Sequence, residues 1–207
     1  DVVSVAEEMD LIVALDWMML EQVCAFFGAH RELDGCAVSV NFSARQFLAP
    51  DAERRVLDTL ERHGLAPTRL KLELTERALA GDIRRVRAVM EALAARGVEF
   101  YLDDFGTGYS NLSSVVSLPL QYVKVDRSLL EAATNGGGGA LLLRAVVETF
   151  RAMGRGILLE GVETPEQYAL ACTLRADRLQ GYYLARPMPG EELCALMRSG
   201  ARRTRRT

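Results

Sequence analysis

Short runs of aliphatic and β-branched residues alternate along this chain with longer stretches whose apolar positions recur at i, i+3 and i+4. The runs have the length of strands, and the recurrence is that of helices with one buried stripe. Residues 3–30 predict a helix with Val5, Met9, Ile12, Val13, Trp17, Leu20 and Cys24 on its stripe. A strand is predicted over 36–43 and a helix over 51–63, closed by Gly64 and Pro67. A strand over 69–75 and a helix over 83–96 come next, with Gly97 at the C-terminal cap. The pattern continues with a strand over 98–103, a short helix over 112–117, a strand over 122–126 and a helix over 141–153. It closes with a strand over 156–160, a helix over 165–173 behind the N-cap Thr164, a strand over 179–184 and a helix over 191–198. Six strands, each followed by a helix, predict a parallel sheet with helices outside it. A doubly wound sheet and a closed barrel both fit, and the missing G-x-G-x-x-G after the first strand weakens the dinucleotide-binding version of the former. The interior faces of the strands are expected to be Val, Leu and Ile.

Composition adds boundaries. The 207 residues suit one sizeable domain, here 1–200, followed by a basic tail over 201–207 that reads as a solvated end or linker stub. A formal net charge of −3 provides no basic field for a nucleic-acid backbone, so no DNA partner is expected. No uninterrupted apolar run reaches the roughly 18 residues of a membrane span, so no membrane contact by this domain is expected. Cys24, Cys36, Cys172 and Cys194 form no C-x-x-C pair. They read as reduced thiols of a cytoplasmic protein, not as a zinc site.

The chemistry collects at the C-terminal ends of the predicted strands. They carry Asn41 and Ser43, Glu73 and Glu76, Asp103 and Asp104, Lys124 and Asp126, Glu160 and Glu163, and Gln180. Any one of these acids alone reads as a helix cap or a solvated loop residue. Their recurrence on successive strands points instead to the rim where barrel enzymes gather their catalytic groups. Carboxylates brought together in this way call for a cation. Oxygen ligands without imidazole or thiolate suit Mg²⁺ or Mn²⁺ better than Zn²⁺, and the Asp103-Asp104 pair could serve two ions. The D-F-G within residues 104–110 (DFGTGYS) lacks the partners of a kinase, and 135–139 (NGGGG) lacks a following G-K-[ST] and reads as a floppy loop.

Asn41-Phe42-Ser43, Glu73-Leu74-Thr75-Glu76, the string DDFGTGYS from Asp103, the string EGVET from Glu160 and Gln180-Gly181-Tyr182 resemble, in order and spacing, the motifs of the EAL-domain family. The resemblance implies a modified (β/α)8 barrel that hydrolyses cyclic di-GMP to linear pGpG with two Mg²⁺ or Mn²⁺ ions. It implies that Asn41, Glu73 and Asp103 hold one metal, and that Asp103, Asp104 and Glu160 hold a second. Lys124 would stand by the attacking water and the phosphate, Gln180 by the substrate, and Glu76 at the foot of the 104–110 loop. Glu163 would support these groups from behind. A homodimer, and a sensor or GGDEF-type domain elsewhere in the full-length protein, are the implied partners. In the family the name-giving Glu-Ala-Leu lies on a strand upstream of the first helix; the only such string here, Glu91-Ala92-Leu93, falls inside a predicted helix. The first two of eight strands, a metal-binding glutamate and a substrate-binding arginine are therefore expected to be absent from this chain. Two other functions compete. One is a non-catalytic cyclic-di-GMP receptor or regulatory domain. The other is a Schiff-base enzyme using Lys124, disfavoured because a lysine among carboxylates stays protonated.

Overall fold

A computed structural model describes residues 11–75, 82–107 and 116–200. Six parallel strands form one sheet in chain order: β1 (Val38–Asn41), β2 (Leu70–Thr75), β3 (Glu99–Phe105), β4 (Tyr122–Val125), β5 (Gly156–Leu159) and β6 (Arg178–Leu179). A doubly wound sheet would reverse its strand order at a switch point. No reversal occurs, and the sheet is a six-stranded half-barrel whose β1 and β6 edges stay apart among the described residues.

The helices α1 (Ile12–Ala29), α2 (Ala52–Arg62), α3 (Ile83–Ala95), α4 (Arg127–Thr134), α5 (Gly139–Ala152), α6 (Pro165–Thr173) and α7 (Gly190–Arg198) account for the longer apolar periods. Leu70, Leu72 and Leu74 of β2, Phe100 and Leu102 of β3, Val123 and Val125 of β4, and Ile157 and Leu159 of β5 are buried in one core with Leu20, Leu60, Met90, Val147 and Phe150 of the helices. Side chains alternate between the faces of a strand. The apolar face is therefore spent on the helices, and the barrel interior receives the other set: Lys71 and Glu73, Glu99, Tyr101 and Asp103, Tyr122 and Lys124, and Arg178. This corrects the expected apolar interior. The period-2 pattern was right, but the apolar face lies outside the barrel.

Four further differences have local causes. Residues 127–134, left unassigned by the periodicity, form α4, opened by Asp126, whose carboxylate accepts from the Ser128 N–H at 3.0 Å. Gly139, read as loop, is the first residue of α5. The strand predicted over 179–184 is only Arg178–Leu179, because the chain turns at Gly181 beside the Val162 backbone, with Tyr183 N–H donating to Val162 O at 3.0 Å. Helix α1, with a mean hydropathy of 1.4 over 18 residues, is long and apolar enough to cross a membrane by length and composition. Asp16 and Glu21 interrupt its apolar residues, so it forms no unbroken apolar run. Here Trp17, Leu20, Cys24 and Phe27 enter the core, and Glu21 pairs with Arg62 of α2 at 2.8 Å. The predicted helix segments over 3–10 and 112–115, the tail 201–207 and the loop-anchoring Glu76 lie outside the described residues.

Candidate active site

Each strand places its rim groups through alternation and register. Asn41 ends β1 directly opposite Glu73 of β2. The segment after Asn41 is clamped: buried Asp16 of α1 accepts from the Ser43 N–H at 2.8 Å and from the Gln46 amide at 3.1 Å. Glu73 and Asp103 come from neighbouring strands, Lys124 from β4, and Glu160 from the residue after β5.

Consecutive residues on a regular strand point to opposite faces, so Asp103 and Asp104 cannot both face the interior without a break in the ladder. The break is present. Leu102 pairs with Val123 and Phe105 with Val125, so β3 spends one residue more than β4 over this interval. Asp104 holds φ at 56°, the left-handed region that Asp tolerates better than most residues. Beyond the bulge, Phe105 returns to the helix side and meets Phe150 edge-on at 4.8 Å. Carboxylate oxygens of Asp103, Asp104 and Glu160 consequently lie within 4.8 Å of one another.

Lys124 stands in the middle of the acids. Its Nζ is 2.6 Å from Glu73 Oε2, 2.7 Å from Asp103 Oδ1 and 2.9 Å from Glu160 Oε1. The lysine side chain is 5% exposed and those of Glu73, Asp103 and Glu160 are 8%, 12% and 16% exposed, so water screens these pairs little. Burial by itself would push the Lys124 ammonium down, but the Glu73 and Asp103 charges outweigh it and hold the pKa above the usual lysine value. A nucleophilic neutral amine is therefore unavailable, which removes the Schiff-base reading. Burial pushes the Glu160 carboxyl up, Lys124 pulls it down, and Asp103 and Glu73 push it up again, with a net rise.

A cavity of about 440 Å³ opens beside Glu160, lined among others by Asp126, Arg127, Glu163, Gln180 and Tyr182. Gln180 reaches it because Gly181 lies against the backbone, where a Cβ would come within 2.2 Å of Val162 O. Glu163 lines the same cavity, and its backbone N–H is held by the Gln167 side chain at 2.7 Å. The structure thus brings Glu73, Asp103, Lys124 and Glu160 into one cluster, joins Asp104 to it, and sets Asn41 and Gln180 on its margins. Sequence reasoning missed Arg127, Tyr182 and Arg186 as cavity residues and Asp16 as a clamp. The Gln180-Gly181-Tyr182 string hinted at Tyr182, and nothing local marked Arg127, Arg186 or Asp16. Glu91-Ala92-Leu93 is a decoy as expected: it lies in α3, and Glu91 pairs with Arg87 on the surface at 2.7 Å.

Residues 1–187 match the family model described as EAL domain. The chain is 35% identical over 195 residues to the bifunctional diguanylate cyclase/cyclic di-GMP phosphodiesterase MucR of Pseudomonas aeruginosa, covering 92% of this chain and 28% of that protein. It is 31% identical over 202 residues to the cyclic di-GMP phosphodiesterase PdeL of Escherichia coli, covering 96% of this chain and 56% of that one. Among solved structures it resembles the PaMucR phosphodiesterase in its c-di-GMP complex, with a TM-score of 0.82 and 35% identity over 92% of this chain and 78% of that one. It also resembles the EAL domain of Mycobacterium smegmatis DcpA, with a TM-score of 0.84 and 31% identity over 92% and 86% of the two chains. The chain spans between 23% and 28% of the length of MucR and two other curated relatives. With the family match running through every strand that carries the rim groups, this chain belongs to the EAL domain family.

Proposed function

We propose that this chain hydrolyses cyclic di-GMP to linear pGpG at the C-terminal rim of its half-barrel, as a divalent-metal-dependent phosphodiesterase. The observation that carries the reading is the convergence of Glu73, Asp103 and Glu160 on Lys124, with Asp104 turned in beside them by the β3 bulge. The donor set fits a hard cation: it offers carboxylate oxygens, and both histidines lie elsewhere, His30 against Phe26 of α1 and His63 against Glu21. Asn41, Glu73 and Asp103 would hold one Mg²⁺ or Mn²⁺, and Asp103, Asp104 and Glu160 a second. Such cations supply Lewis-acid polarisation of a phosphoryl oxygen.

The chain's own residues do the rest. Lys124, kept protonated, offsets negative charge on the phosphoryl oxygens as the bond from water to phosphorus forms and the bond to the 3′ oxygen breaks. Glu160, a largely buried rim carboxylate beside Lys124, is suited to take the proton that water gives up. Gln180 and the other groups of the adjacent cavity orient the remainder of the dinucleotide. Sensory or cyclase domains in a longer protein, and pairing with a second copy, belong to the same proposal.

One feature favours a receptor instead. Three of the acids are engaged by Lys124, which offsets part of their charge without any metal. The deciding assay incubates the chain with cyclic di-GMP and Mn²⁺ and separates products by chromatography. Release of pGpG supports the enzyme, binding without turnover supports the receptor, and neither event defeats both.

A further inference from the structure

The rim uses only the upper half of the polar interior. A second layer lies beneath it, and the proposed reaction touches none of it. Tyr101 precedes Asp103 by two residues on β3, and Tyr122 precedes Lys124 by two on β4. Both rings therefore share the interior face with Asp103 and Lys124, about 6.6 Å below them along their own strands at the usual strand rise. The two tyrosines are directly opposite in the ladder, with ring centroids 4.9 Å apart. On β5 the residue opposite Tyr122 is Gly156, where a Cβ would lie 2.4 Å from Tyr122 Cε1, so the glycine leaves the room that the ring fills. Arg178 reaches across from β6. Its guanidinium is 4.2 Å from the Tyr122 ring centroid and 5.5 Å from that of Tyr101, and it donates to the Tyr101 hydroxyl. Tyr101 in turn donates to Glu99 Oε2 at 3.2 Å.

We infer that this layer is the floor of the charge cluster, and that Arg178 is a positioning residue for Lys124 and Asp103 because it fastens the two rings across the open half-barrel. The inference rests on the phosphodiesterase reading of the rim. An ammonium on a four-carbon stem has many rotamers, and its place among three carboxylates depends on what closes the space below. Water entering from beneath would weaken each ion pair in proportion to the local dielectric. Two rings packed against each other at a 39° tilt exclude it, and a cation over their faces holds them by attraction to the ring quadrupoles. Arg178 is itself exposed, so its removal leaves no cavity in the core. Its loss reads on the rings and on what they support.

The test measures Mn²⁺ affinity by the resonance of the free ion, hydrogen exchange over residues 122–125, and kcat and KM on cyclic di-GMP, all on the full chain. Removing a group behind metal ligands typically costs about 10–100-fold. For Arg178→Ala we expect a weakening of Mn²⁺ binding and a fall in kcat of about tenfold each, at the lower end of that range, with KM within about twofold and faster exchange over 122–125. Tyr122→Leu, which keeps apolar volume and offers no π face, should behave the same way, and Tyr122→Phe should restore both quantities to within about twofold. Wild-type affinity and exchange in Arg178→Ala would overturn the inference, as would a Tyr122→Leu variant that matches wild type. A wild-type chain that binds Mn²⁺ without cleaving cyclic di-GMP defeats the phosphodiesterase reading alone, and affinity and exchange then decide the floor. If wild type binds no Mn²⁺, exchange decides: acceleration in Arg178→Ala sustains the floor and its absence ends it.

Discussion

Replacing Lys124 with methionine keeps the apolar stem and removes the cation that, among the described residues, faces Glu73, Asp103 and Glu160. All four side chains are at most 16% exposed, so the three carboxylates would be left buried without the cation that offsets their charge. They respond by holding their protons more tightly. Breaking a buried ion pair from one side costs roughly 3–5 kcal/mol, so the loss is about 4 kcal/mol. In a chain of this size that lowers the melting temperature by about 8–16 °C. The pH dependence has a fixed sign. A carboxyl whose folded-state pKa lies above its unfolded value of about 4 costs nothing when both states are protonated, and the full penalty appears as pH rises through the folded value. The deficit of Lys124→Met should thus be small near pH 4 and largest near pH 8, and Mn²⁺ should recover part of it by replacing the missing charge. Calorimetric scans of both proteins from pH 4 to 8, with and without Mn²⁺, measure it. A midpoint within about 2 °C of wild type at pH 8, or a deficit that grows toward acid, would refute the electrostatic account of the cluster.

Three more outcomes follow from the same geometry. Asp103→Asn should cost more turnover of cyclic di-GMP than Glu163→Gln, because Asp103 lies in the Lys124 cluster and Glu163 only lines the adjacent cavity; the reverse order in steady-state rates would mean the roles are misassigned. Hydrolysis should proceed with Mg²⁺ or Mn²⁺ and fail with Ca²⁺, which takes about 6–8 ligands at longer distances, and equal rates in the three metals would count against metal-held phosphate. Burial pushes the Cys24 thiol up to about 11, so at pH 8 it should resist a colorimetric thiol reagent that modifies exposed Cys172 quickly; rapid labelling of Cys24 in the native protein would contradict its place in the core.

Much of this protein could be read from its residues in order. The apolar runs located β1 to β5 because each of these strands spends an apolar face on the helices, and the polar strand ends were visible because Asn41, Glu73, Asp103, Lys124 and Glu160 interrupt or end those runs. Helix α4 was not read from the periodicity, and its local signal was the Asp126 cap. Three features were decided only in three dimensions. Alternation shows that a strand has two different faces but not which of them turns toward the barrel axis, since helices cover one side and the sheet's own curvature encloses the other; that choice put Lys71, Glu99, Tyr101 and Arg178 inside. The side taken by Asp104 depended on a bulge defined by β3 against β4, a relation between strands that neither strand carries alone. The meeting of Lys124 with acids 51, 21 and 36 residues away (Glu73, Asp103 and Glu160) came from register between neighbours, because parallel strands connected through helices bring distant residues side by side at a distance that no local spacing encodes.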